Sequence, residues 1–159
     1  MASFIGEFDC KVDVKGRVMM PSGLRKQLDP ESRETFVLNR GFEPCLVLYP
    51  KNVWTTISAE ISKLNQYKKK NREFIRYFYR GATEISLDTT GRILFPKRLL
   101  TYAKISKEAV LFAYFDRIEV WDKATYDNLL TDEPEDFSNL AEEVMGNHNK
   151  EDGETSEIS

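Results

Sequence analysis

Polar and apolar positions alternate in Phe8-Asp9-Cys10-Lys11-Val12 and again in Ile85-Ser86-Leu87, the period of half-buried strands. Each stretch runs into Asp-x-x-Gly-Arg, at Asp13–Arg17 and at Asp88–Arg92. That pattern predicts a hairpin turn. The Asp carboxylate can accept backbone N–H groups two residues on, and Gly16 and Gly91 can take the positive φ of the reversal. Val18-Met19-Met20 and Ile93-Leu94-Phe95 then read as return strands, apolar enough to be buried on both faces. Pro21 and Pro96 suit the first position of a short helix, where a missing N–H costs little. Two further hairpins are expected, Thr35–Asn39 with Cys45–Tyr49 and Ala109–Tyr114 with Arg117–Trp121, the latter turning at Asp116-Arg117.

These elements form a repeat. Gly6/Gly81, Asp13/Asp88, Gly16/Gly91, Arg17/Arg92 and Pro21/Pro96 match at a constant offset of 75. Phe36-Val37-Leu38 then parallels Ala109-Val110-Leu111, and Leu46–Lys51 parallels Ile118–Lys123, the offset falling to 73 and 72 as loop lengths change. Self-similarity at this period marks one structural unit used twice.

Between the copies, Val53, Trp54, Ile57, Ile61 and Leu64 recur at helical steps after Pro50, and Phe74, Ile75, Tyr77, Phe78 and Tyr79 mark a second helix. Lys68–Arg72 reads as an exposed corner between them, or as a nucleic-acid contact. The Phe74–Tyr79 aromatics suit core or subunit-interface packing, or a platform for stacking bases. Residues 122–130 are expected to be helical, and Phe137, Leu140 and Val144 can form an amphipathic turn or two. Beyond Gly146 the chain is polar and acidic, with little to bury, and is expected to be disordered. The predicted organisation is a first repeat over 4–50, a helical connector over 51–80, a second repeat over 81–124, and a C-terminal helix and acidic tail over 125–159.

Charge changes this picture. The 159 residues carry a formal net charge of −3, but residues 132–159 hold ten of the 26 acids and only one base. Residues 1–131 therefore carry 22 basic against 16 acidic side chains, a net of +6. Such a body attracts polyanions and such a tail competes with them, unless both are simply solvated surface. No apolar run reaches the roughly 18 residues a membrane span needs, and the opening residues do not resemble an export signal, so a cytoplasmic chain is expected. Cys10 and Cys45 are isolated, which suits a reducing compartment. His148 is the single histidine. No nucleophile–base set, phosphate-cradling loop or metal-ligand spacing emerges, so neither an enzyme nor a cofactor or metal is expected.

The paired Asp-x-x-Gly-Arg-x-x-x-Pro units resemble the tandem swapped-hairpin repeats of the MraZ family, related to AbrB and SpoVT. Asp13–Arg17, Gly41–Pro50 and Gly81–Ile93 carry the match, which spans about residues 4–130 and leaves the tail after about residue 132 outside it. The resemblance implies an α+β fold: two intertwined, β-barrel-like swapped-hairpin repeats in a pseudo-two-fold arrangement with short helices. It implies closed rings that bind direct repeats of double-stranded DNA upstream of the division and cell-wall gene cluster. Repression of that cluster, its own gene included, and association with the nucleoid follow from the same likeness. Thr89-Thr90 and Leu100 depart from the family pattern of Lys-Gln and Arg, so the second loop is expected to touch DNA less than the first, or not at all.

By position, Lys15 and Arg17 correspond to the residues that insert toward DNA. Arg can address the O6/N7 edge of guanine, and Lys a phosphate as a point charge. Lys11, Arg25 and Lys26 are candidates for phosphate positioning, and Arg92 for a second-loop contact. Arg17 and Arg92 have a rival role, pairing with Asp13 and Asp88 across the turn. The aspartates and Gly16 and Gly91 are read as structural. An antitoxin-like protein-binding module of the same superfamily is the alternative function, although antitoxins usually carry one hairpin copy rather than two.

Overall fold

The computed structural model describes residues 3–28, 35–131 and 136–146. Two compact units divide the chain, residues 1–123 and 124–159.

The first unit runs β1 (Phe4–Lys11), β2 (Arg17–Met19), α1 (Ser22–Arg25), β3 (Thr35–Arg40), β4 (Leu46–Pro50), α2 (Lys51–Ser62) and α3 (Lys69–Tyr79). The second repeat follows as β5 (Thr83–Ser86), β6 (Arg92–Leu94), α4 (Lys97–Tyr102), β7 (Glu108–Phe115) and β8 (Arg117–Asp122). The other unit holds most of α5 (Lys123–Leu130) and a helix over 137–146. Of the expected tail, residues 147–159 lie outside the described residues.

Pairing crosses between the repeats. A six-stranded antiparallel sheet has the order β1-β7-β8-β4-β3-β5, and β2 pairs with β6 in a separate ribbon. The first strand of each repeat thus lies against the long hairpin of the other: Phe8 faces Leu111, and Ile85 faces Phe36. The hairpins meet at β4–β8, where Leu46 faces Val120. Each repeat leaves backbone donors and acceptors that the other satisfies, so neither copy has a complete sheet alone.

One interior serves both copies. Phe36, Leu38, Leu46 and Leu48 of the first repeat join Ile93, Phe95, Leu99, Leu111, Ile118 and Val120 of the second. The other face of β3–β4 packs under α2 and α3, where Val37, Val47 and Tyr49 meet Val53 and Trp54, backed by Ile57, Phe78 and Tyr79. Covered on both sides, β4 is apolar throughout and β3 is apolar over Phe36-Val37-Leu38, as suits doubly buried strands. Buried Asn39 donates from Nδ2 to the Phe78 carbonyl (2.8 Å) and pins α3 to the sheet.

Several local expectations shift. The corner between α2 and α3 occupies residues 63–68, and Lys69–Arg72 form the first turn of α3. The aromatics of α3 divide: Phe78 and Tyr79 pack against Trp54, while Phe74 and Tyr77 are exposed. Tyr114 pairs with Arg117, so the β7–β8 turn falls on Phe115-Asp116, with Phe115 at φ 49°. Pro21 and Pro96 cap α1 and α4 from just outside, at φ near −59° and −58°.

Candidate nucleic-acid interface

Both Asp-x-x-Gly-Arg segments fold into the same turn. Asp13 Oδ1 accepts from the backbone N–H groups of Lys15 and Arg17, each at 2.9 Å, while its Oδ2 meets Arg17 Nε at 2.8 Å. Asp88 repeats this with the N–H groups of Thr90 (2.9 Å) and Arg92 (2.8 Å), the Thr90 hydroxyl (2.8 Å) and Arg92 Nε (2.9 Å). Gly16 and Gly91 sit at φ +88° and +86°, a region that side chains rarely enter. The ion pairs read from the four-residue spacing are therefore present in both copies. They engage Nε, so this bond does not consume the two Nη groups at the end of each guanidinium.

Both carboxylates are held below the usual range. The Arg17 backbone N–H is the main cause for Asp13, and the Arg92 backbone N–H for Asp88, with the other turn donors adding to each. A depressed folded pKa stabilises the fold above the unfolded value of about 3.9, and that contribution is lost as pH falls through the folded value. Asp88→Asn is accordingly expected to lower the urea midpoint at pH 7. Its deficit against wild type should persist to about pH 5 and shrink progressively below about pH 4 as pH falls toward the folded value. A deficit independent of pH would assign the effect to shape rather than charge.

The turns meet across the ribbon. Phe95 N donates to the Gly16 carbonyl at 2.9 Å and Met20 N to the Gly91 carbonyl at 3.0 Å, two bonds at equivalent positions of the two repeats. Between them Arg17 faces Leu94, Val18 faces Ile93 and Met19 faces Arg92. Directly opposed residues share a face, as do residues two apart on one strand. One face of the ribbon therefore carries Arg17, Met19, Arg92 and Leu94 together.

Here the sequence expectation of return strands buried on both faces is corrected. Val18 and Ile93 are buried, but Met19 and Leu94 are 51% and 56% exposed. In each three-residue strand a single arginine is all that marks the outer side. Arg17 and Arg92 were that signal: each fixes the outward parity that Met19 and Leu94 share two residues on.

Around this ribbon, Lys15 is exposed at the first turn beside Val14, whereas the second turn offers the neutral Thr89-Thr90. Arg25 and Leu100 are equivalent by the repeat, and each reaches across to the other copy's turn. A β-carbon on Gly91 would stand 2.5 Å from Arg25 Nη1, and one on Gly16 would stand 3.2 Å from Leu100 Cδ1. The uncharged turn thus gains a guanidinium from the first repeat, and the charged turn is covered by an apolar side chain. Sequence reading could not reveal this crossing. Lys11 and Lys26 are exposed at the end of β1 and the C-cap of α1, outside the turn bonding among the described residues.

Chemistry elsewhere is quiet. Burial, with Asp9 adding to it, pushes the Cys10 thiol up to about 11, and burial beside Glu119 and Glu43 pushes Cys45 up to about 12. Neither forms an appreciable thiolate at neutral pH, and both cysteines are free of disulfides. Among the described residues, no three His, Cys, Asp or Glu side chains cluster to hold a metal, and no helix is long and apolar enough to cross a membrane. His148 lies outside the described residues.

Comparison with known proteins places the repeat. The family model for MraZ protein, described as antitoxin-like, matches twice in tandem, over residues 3–77 and 78–148. The chain belongs to the MraZ family. It is 47% identical over 148 residues to the Transcriptional regulator MraZ of Christiangramia forsetii, covering 92% of this chain and 96% of that protein. The protein of the same name from Flavobacterium psychrophilum is 46% identical over 153 residues, covering 96% and 98%. That of Cytophaga hutchinsonii is 36% identical over 151 residues, covering 95% and 100%. These relatives are named as regulators rather than enzymes. The MraZ match runs to residue 148, beyond the span of about 4–130 expected from the sequence motifs, and so takes in the helix over 137–146.

Proposed function

We propose that this MraZ-family chain is a transcriptional regulator that binds double-stranded DNA through the outer face of the β2–β6 ribbon and its two turns. The observation carrying this reading is the juxtaposition of Arg17 and Arg92 on one exposed face of a two-stranded ribbon, with Lys15 at one turn and Arg25 over the other. The major groove, about 12 Å wide, admits a two-stranded β-ribbon. The Asp-held arginines face it already oriented, which lowers the entropy spent on contact. Arg17 and Arg92 read base edges, and Lys15, Arg25, Lys11 and Lys26 hold phosphates and set register.

The finer reading follows the resemblance. The two repeats, over 4–50 and 81–124 with a connector at 51–80, interlock as a swapped-hairpin barrel, and the strand pairing across repeats supports this. One ribbon offers few contacts, so a lone subunit would bind at about 10⁻⁴–10⁻⁶ M at physiological salt. A closed ring presenting identical ribbons to direct repeats raises avidity through effective concentration. Its target is the DNA upstream of the division and cell-wall cluster, its own gene included, which it represses as a cytoplasmic, nucleoid-associated protein. The antitoxin-like description of the family supports a second reading, a protein-binding module, which a stoichiometric co-purifying small protein would favour.

The Arg25–Leu100 asymmetry gives an expected result. Arg25→Ala should weaken binding uniformly across sequences and reduce the salt slope by about 1 for each subunit in contact. Leu100→Arg should raise that slope by a similar amount, by setting a guanidinium over Gly16. Unchanged slopes in both variants would place DNA elsewhere. The reading as a whole is tested by titrating the chain against the duplex upstream of its own gene and against a scrambled duplex.

A further inference from the structure

On the first unit, away from the ribbon, exposed aromatics surround a hollow of about 250 Å³ lined by Arg40, Phe42, Phe74, Tyr77, Phe78 and Tyr102. Phe42 is 90% exposed and Tyr77 68%. The floor is rigid: Phe78 stacks on the largely buried Trp54 at 5.6 Å and carries Phe74 at 5.6 Å. Arg40 lies over the Tyr102 ring at 5.2 Å and donates from Nη2 to the Tyr77 carbonyl at 2.6 Å. Its Nε is buried with no hydrogen-bond partner among the described residues. Tyr77 also walls a second hollow of about 520 Å³ with Glu73, Arg76 and Arg80. The first hollow is aromatic, and the second, which shares Tyr77 with it, is lined by Glu73, Arg76 and Arg80.

The other unit carries an exposed surface of matching chemistry. In the helix over 137–146, Phe137, Leu140 and Val144 fall at i, i+3 and i+7, with Met145 beside them, and all four are exposed. Asp136, Glu142 and Glu143 flank this stripe. Ten helical residues span about 15 Å. Apolar patches rimmed by polar residues mark interaction sites, and anchors at this spacing are those of a helix laid in a groove.

We infer that the groove on α3 receives the 137–146 helix of a second copy of this chain. Phe137, Leu140 and Val144 would lie over the aromatic hollow, with the helix running past Tyr77 toward Arg76 and Arg80. Glu142 and Glu143 would face Arg40, Arg76 and Arg80. Charge complementarity decides the occupant: a nucleic acid also suits arginines and aromatics, but only an acidic, apolar helix answers both exposed surfaces at once. Such a contact is head-to-tail, joining unlike surfaces, and it closes into a ring or runs on as a filament. The inference deepens the ring reading above and rests on it.

The test uses the full chain, with mass measured by light scattering after size exclusion. Leu140→Glu with Val144→Glu removes the helix stripe, and Tyr77→Glu with Phe42→Ser removes the groove. All four positions are exposed, and thermal melts check that the fold survives. Each double variant should fall from the wild-type assembly to a monomer. Mixed in equal amounts they should form a 1:1 dimer and nothing larger, because one intact groove then meets one intact helix. Assemblies of wild-type size in both variants, or no dimer on mixing, overturn the inference while leaving the ring. A monomeric wild type defeats the ring reading itself, and this inference with it. Groove variants that keep their assembly but lose affinity for a single-stranded oligonucleotide would give the groove to bases instead.

Discussion

Gly16→Ala is expected to destabilise the fold by about 2–4 kcal/mol, and Gly91→Ala by only about 1–2 kcal/mol, although the two glycines share almost the same φ. Both pay the strain of a side chain at positive φ, +88° and +86°. They differ in what the new methyl meets. At Gly16 it would stand 2.9 Å from the Phe95 carbonyl oxygen, a backbone atom fixed in the ribbon, and the collision also disturbs the Phe95 N–H bond to the Gly16 carbonyl. A lost hydrogen bond there adds about 1 kcal/mol. At Gly91 the methyl meets the tip of Arg25, which can swing away at little cost. Urea midpoints of the two variants check the order. Equal losses would mean that φ strain alone decides. Gly91→Ala should in addition behave in DNA binding like Arg25→Ala, because it dislodges the same guanidinium.

Arg17→Ala should weaken binding to the native upstream duplex by about 1–3 kcal/mol, roughly 5- to 150-fold, and weaken binding to a scrambled duplex much less. Two effects combine. The variant loses a donor aimed from the ribbon face, and it leaves the Asp13 carboxylate without its guanidinium partner where DNA approaches. Equal losses on both duplexes would make Arg17 a phosphate contact. No loss on either would leave it as the brace of its own turn, and its bond to Asp13 would be its whole role.

The turn was legible because its chemistry is local. Asp13, Gly16 and Arg17 lie within five residues, and their doubled appearance at an offset of 75 announced the repeat. Their hydrogen bonds follow from side-chain reach alone. What escaped the sequence depends on partners far along the chain. Alternation marks Phe8 and Ile85 as strand residues but does not say that Phe8 lies against Leu111 and Ile85 against Phe36. That the repeats interlock was expected from the family resemblance alone, and the register of their pairing is set by the shared interior, which no window of one copy contains. Arg25 over Gly91 and Leu100 over Gly16 are consequences of that exchange. Met19 and Leu94 were misread because hydrophobicity predicts burial only on average, and an exposed methionine beside an arginine looks the same in sequence as a buried one. Trp54 and Phe78 were placed on helices by period, but only the fold shows Phe78 shared between the interior and an exposed groove.

The central claim is that the cationic ribbon, repeated by self-assembly, grips duplex DNA of matching sequence. It is tested most directly by the salt dependence of wild-type binding to the upstream duplex and to its scrambled counterpart. The account predicts a linear fall of log affinity with log salt on both, with a slope near −0.9 for each phosphate contacted, and tighter binding to the native duplex throughout. Equal affinity for the two duplexes at every salt concentration, or no binding even in dilute buffer, would contradict it.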